Sequence, residues 1–92
     1  MIRSFRHKGL EELFTASSPK RVPAAWRRRI ERMLDRLDSS VRPQDMDLPE
    51  WRLHPLRGDR RGRWAVDVSG NVRLTFAFDG EDAVNVDLED YH

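Results

Sequence analysis

His54 and Arg73 are the first residues whose types suggest chemistry. Side chains alternate across a strand. If Trp51 and Leu53 face a core, then Arg52 and His54 point the other way. Val72, Leu74, Phe76 and Phe78 form a second alternating set, which turns Arg73 and Thr75 to that same open face. Arg57, Arg60, Arg61 and Arg63 crowd the turn between the two stretches, around Leu56-Arg57-Gly58-Asp59-Arg60-Arg61-Gly62. A sheet face with one imidazole and several guanidiniums can hold a phosphodiester. The chain then closes on Asp90-Tyr91-His92, a carboxylate, a phenol and an imidazole in a row. In a straight last strand, Asp90 and His92 would share the core face with Leu88. Joining His54 and Arg73 requires a bulge, a twist or an exit from the sheet near Glu89.

Metal chemistry has little support. His7, His54 and His92 show no i,i+2 or i,i+4 pairing, and Asp87-Leu88-Glu89 is at most half a Mg²⁺ site. No Gly-rich loop cradles a nucleotide, and no serine sits on a nucleophile elbow. The reading is therefore no metal and no cofactor.

The elements that must position these groups follow from periodicity. Ile2 to Phe5 alternates and reads as a short first strand. Leu10, Leu13 and Phe14 fall at helical spacing within a short helix from His7 to Ala16. Pro23 suits the first position of a second helix. Trp26, Ile30, Met33, Leu34 and Leu37 form one apolar stripe there, with Arg27, Arg28, Arg29, Arg32 and Arg36 outside it. Such an arginine run is either a solvated face or a surface for RNA or a partner. Strands are then expected at Trp51–His54, Trp64–Val68, Val72–Phe78 and Val84–Leu88, with turns at Ser69-Gly70-Asn71 and Asp79-Gly80. A strand and two helices followed by three or four antiparallel strands mean an α+β fold, helices on one sheet face, in one domain over residues 1–92.

Composition sets the frame. Ninety-two residues hold one modest core, and the absence of cysteine excludes disulfides and thiolate zinc sites. No apolar run is long enough to cross a membrane, and no apolar leader follows Met1. A cytoplasmic protein is expected. Residues 1–63 carry 16 Lys and Arg against nine Asp and Glu, whereas residues 64–92 carry one Arg against seven acids. A basic front and an acidic tail suit a polyanion-facing surface beside a separate acidic strand system.

Three strings resemble a known family. Leu53-His54-Pro55-Leu56-Arg57-Gly58-Asp59 followed by Gly62-Arg63-Trp64, then Gly70-Asn71-Val72-Arg73-Leu74-Thr75-Phe76, then Asp87-Leu88-Glu89-Asp90-Tyr91-His92 are similar to blocks of the HigB branch of RelE/ParE-type bacterial toxins. The opening Met1 to Phe5 fits as well, so the likeness spans essentially the whole chain. It implies a RelE-like sheet with two N-terminal helices. It further implies an mRNA endonuclease that works in the A site of the ribosomal small subunit. A helix-turn-helix, HigA-like antitoxin would neutralise it in a toxin–antitoxin hetero-oligomer. The functional positions carried over are His54, Arg73, Asp90, Tyr91 and His92. Two departures stand out. Arg57 replaces a frequent lysine, which keeps the charge but not a usable proton. Asp67 replaces a frequent base.

These residue types fit metal-free RNA cleavage. A base takes the 2′-OH proton, the oxygen attacks the adjacent phosphorus, and an acid protonates the departing 5′-oxygen. Asp90 or His92 is the candidate base and His54 the leading acid, although the two imidazoles could exchange roles. Arg73, with Arg57, would stabilise the pentacoordinate charge, and Tyr91 would stack on or orient a base. Two other readings stay open: a ParE-like toxin that poisons gyrase without cutting anything, and a plain nucleic-acid-binding module.

Overall fold

Two amphipathic stretches make the helical layer. The computed structural model describes residues 1–90, and Tyr91 and His92 lie outside the described residues. Helix α1 spans Lys8–Ala16 and buries Gly9, Leu10 and Leu13. His7 caps its start, with Nδ1 accepting the Leu10 amide at 3.1 Å. Helix α2 spans Ala24–Ser39 and buries Ile30, Met33, Leu34 and Leu37. Pro23 stands one position outside it, where a residue without an N–H costs the helix nothing.

Four strands follow: β1 His54–Pro55, β2 Arg63–Asp67, β3 Val72–Asp79 and β4 Asp82–Asp90. They form one antiparallel sheet in the order β1-β2-β3-β4. The core lies between helices and sheet: Val66, Val72, Leu74, Phe76, Ala83 and Val86 meet Leu10, Ile30, Met33, Leu34 and Leu37. The α+β architecture with two helices on an antiparallel sheet is thus as expected.

Three local expectations change. The first strand, expected over Ile2 to Phe5, is two isolated parallel bridges, Ile2 to Ala83 and Phe5 to Val86, along the outer edge of β4. A continuous ladder fails because β4 holds a bulge. Thr75 pairs Asp87 and Ala77 pairs Val84, so β4 carries one extra residue between them, with Asn85 at φ 54°. The bulge also changes the apolar set of β4. Ala83 and Val86 are fully buried, whereas Val84, expected in the core, is only half-buried. Finally, the Trp51–His54 strand shrinks to His54–Pro55, because Glu50 and Arg52 adopt left-handed backbone angles of 75° and 52°. Trp51 still reaches the core, and its carbonyl accepts the Asp67 amide at 2.7 Å.

Candidate functional site

Register decides which side chains meet. His54 pairs Ala65, which pairs Thr75, which pairs Asp87. One step along, Asp67, Arg73 and Glu89 stand in a row across β2, β3 and β4. Directly paired residues share a face. His54, Arg73, Thr75, Asp87 and Glu89 therefore share the face opposite the helices. Two strand spacings put His54 about 10 Å from Thr75 along the row. This is enough room for a nucleotide's phosphodiester between them.

His54 arrives with one ring nitrogen committed. Its Nδ1 lies 2.7 Å from the Arg52 carbonyl oxygen. A carbonyl only accepts, so Nδ1 carries the hydrogen and donates. Nε2 is left for proton transfer, as base when neutral and as acid when protonated. The left-handed backbone of Arg52 brings that carbonyl within reach of the ring two residues on. Strain of this kind costs of order 1–3 kcal/mol and tends to sit where function needs it.

The cationic side of the face is organised by Glu89, which the sequence reading passed over except as half of a metal site. One carboxylate oxygen accepts the Thr75 hydroxyl at 3.0 Å and pairs with Arg60. The other faces Arg73 at 3.4 Å. Thr75, fully buried, in turn accepts from Arg63 at 2.8 Å. Burial works to raise the Glu89 carboxyl, but hydrogen bonds from Arg60 and Thr75 and the charges of Arg60 and Arg73 outweigh it and hold the group below the usual glutamate range. Through the same bond Glu89 raises the Arg60 guanidinium. The signal that could have found Glu89 was its place opposite Arg73, a cross-strand pairing of opposite charges. With its oxygens so engaged, Glu89 is not a free metal ligand. Among the described residues no group of three or more His, Cys, Asp or Glu could hold a metal ion.

The four arginines of the loop divide. Arg57 and Arg61 are exposed and have no ion pair among the described residues, and Arg60 is tied to Glu89. Arg63 is a correction to the group expected to touch RNA. It is 7% exposed, and its guanidinium is turned to Thr75 and to the Asn85 carbonyl, 2.8 Å away. Burial, then the charges of Arg6 and Arg60, push Arg63 down from the usual arginine range. It supports the face from beneath instead of reaching a phosphate. The loop turns at Gly58 and Gly62, with φ of 66° and 94°, angles that side-chain-bearing residues rarely adopt.

Asp90 does not join His54 and Arg73 by register. It pairs Val72, on the Leu88 side of β4, and is exposed. The bulge lies at Asn85, well before the Glu89 position where a change of face would have been needed. Tyr91 and His92, the other two members of the terminal set, lie outside the described residues. A cavity of about 300 Å³ lies at the β2–β3 turn, lined in part by Arg29, Glu50, Arg52 and Asp67. Arg29 spends its donors there on the carbonyls of Asp67 and Glu50.

Comparison with known proteins adds two findings. A family model described as the RelE-like toxin of the type II toxin-antitoxin system HigB matches residues 3–92. The chain is also similar to the endoribonuclease HigB of Proteus vulgaris, 41% identical over 92 residues, covering 100% of each chain.

Proposed function

The chain belongs to the HigB-like, RelE-related family of type II toxins, and we propose that it is an endoribonuclease that cuts messenger RNA on the ribosome without a metal. Its similarity to an endoribonuclease over the full length supports the activity. The observation that carries the mechanism is the single face holding His54, with Nε2 unpartnered among the described residues, and Arg73 in the next row. RNA supplies its own nucleophile. The 2′-oxygen loses its proton to His92, the base candidate that remains once the register turns Asp90 to the other face, and attacks phosphorus. The P–O5′ bond breaks, and His54 as imidazolium gives its proton to the leaving oxygen. Arg73 stabilises the charge of the pentacoordinate phosphorus, and Tyr91 stacks on or orients a base. The products are a 2′,3′-cyclic phosphate and a 5′-hydroxyl. The exposed Arg57 and Arg61, with Arg60, line the path of the RNA backbone.

So few groups need the message delivered in line, which is the task assigned to the A site of the small subunit. A type II toxin has an antitoxin; here it is a helix-turn-helix, HigA-like protein forming a hetero-oligomer with the toxin. No helix of the described residues is long and apolar enough to cross a membrane, and the site of action is the cytoplasm.

The test is in vitro translation of a defined message with purified toxin, followed by primer extension. Cuts appear in ribosome-bound message and not in naked RNA. Efficient cutting of naked RNA would count against the ribosome. Uncut message together with growth arrest would move the weight to a gyrase poison.

A further inference from the structure

We propose that Glu89 is a positioning residue of the cleavage site: its carboxylate ties the arginine loop to β3 and fixes Arg60 and Arg73 for the RNA phosphate. The inference rests on the endonuclease reading above.

Three donors from two parts of the chain converge on this one group. Arg60 comes from the loop between β1 and β2, while Thr75 and Arg73 come from β3. Below them Arg63, at the start of β2, donates to the Thr75 hydroxyl, which passes its own hydrogen to Glu89. Arg63 also donates to Asn85, the left-handed residue of the bulge. That bulge matters for parity. Were the same residues to run on without the bulge, the register of Val84 with Ala77 would continue and turn Glu89 to the helix side. The bulge and the carboxylate therefore form one device.

An anion on an RNA-binding face repels the phosphate it must share space with. Glu89 is worth that repulsion only if it organises the cations. A free arginine side chain samples many rotamers, and holding it in one before the substrate arrives removes that cost from the reaction. Arg60 is the tether of its loop: Arg57 and Arg61, its neighbours, have no ion pair among the described residues. With Glu89 ionised and one-fifth exposed, both guanidiniums are held before RNA arrives. Preorganisation of this sort acts on the transition state, not on capture of the substrate.

The experiment is single-turnover cleavage of a message on programmed ribosomes by the wild type, E89Q, E89D, R73A and E89Q/R73A. Ribosome affinity and thermal unfolding are measured on the same preparations. Glu89→Gln should lose about 10- to 100-fold in the saturating rate, the scale of a small misplacement, with ribosome affinity equal to or tighter than wild type. Glu89→Asp keeps the charge at shorter reach and should recover part of the rate. In the R73A background the Glu89→Gln change should lose the part of its effect that runs through Arg73 and keep the part that runs through Arg60. A folded E89Q at wild-type rate overturns the proposal. So does a loss of rate and affinity together in step with the unfolded fraction, or an undiminished loss in the R73A background. If E89Q does not fold, E89D decides by the same split between rate and affinity. Absence of cutting by the wild type is a different outcome: it removes the endonuclease reading itself, and this inference with it.

Discussion

His54 and Arg73 make different demands on a substitution. Arg73→Ala should lower cleavage by about 2.7–4 kcal/mol of transition-state stabilisation, with Arg73→Lys recovering little because a point charge replaces a fork. His54→Ala should cost about 10²–10⁴-fold in rate, the usual size of a lost general acid or base. Primer extension on programmed ribosomes reads both. Glu89 makes a pH prediction. Its folded pKa lies below the ordinary glutamate value of 4.5. The charged form therefore stabilises the fold fully above that value, and the contribution is lost as pH falls through the folded pKa. Urea unfolding should show a gap between wild type and E89Q that is constant near neutrality and closes below about pH 4.5. A gap that widens in acid would mean the carboxylate is destabilised by its site.

Elements carry the next set of effects. The α1 cap depends on a neutral His7, whose Nδ1 must accept from the Leu10 amide. His7→Ala should cost about 0.5–2 kcal/mol, the range of a lost N-cap, and leave cleavage by the folded protein unchanged. His7 lies at the start of α1, away from the site row on the far face of the sheet. Equal losses in activity and stability would make His7 part of the site. The end of β4 should behave in the opposite way. Val86 is the last fully buried side chain of that strand. Deleting Tyr91 and His92 should change stability by less than about 1 kcal/mol and activity by about 10²–10⁴-fold. Growth arrest at wild-type strength from the truncated, folded chain would remove the terminal residues from the chemistry.

At the scale of the molecule, the basic front and acidic tail meet in the fold. Arg3 pairs with Asp79 and Asp82, and the terminal amine of Met1 lies 3.7 Å from Asp82. The N-terminal segment thus neutralises part of the acidic β3–β4 end while covering the edge of β4. Arg28 and Arg32, one turn apart on α2, are exposed and have no ion pair among the described residues. This face lies on the helical layer, away from the His54 side of the sheet, and suits an acidic segment of the antitoxin. R28E/R32E should weaken antitoxin affinity at low salt, with the difference fading as salt screens it. Affinity unchanged at low salt would place the antitoxin elsewhere.

The sequence by itself determined the layers. Trp26, Ile30, Met33, Leu34 and Leu37 can face one way only on a helix, and Val72, Leu74 and Phe76 only one way on a strand. Those periods fixed the α+β class and the face of Arg73, whereas His54 reaches that face through its pairing with Ala65, because Arg52 breaks the alternation before it. Other features are set by partners distant in the chain, and tertiary structure decided them. One is the bulge at Asn85, whose amide is held by the Ser4 hydroxyl at 2.8 Å. It sends Ala83 rather than Val84 inward and turns Glu89 toward Arg73. Another is Arg63, indistinguishable in sequence from its loop neighbours, which is buried because Thr75 and the Asn85 carbonyl receive it. A hydrogen bond between residues far apart in sequence leaves no periodicity behind, so only the folded chain reveals which arginine is the support and which carboxylate the clamp.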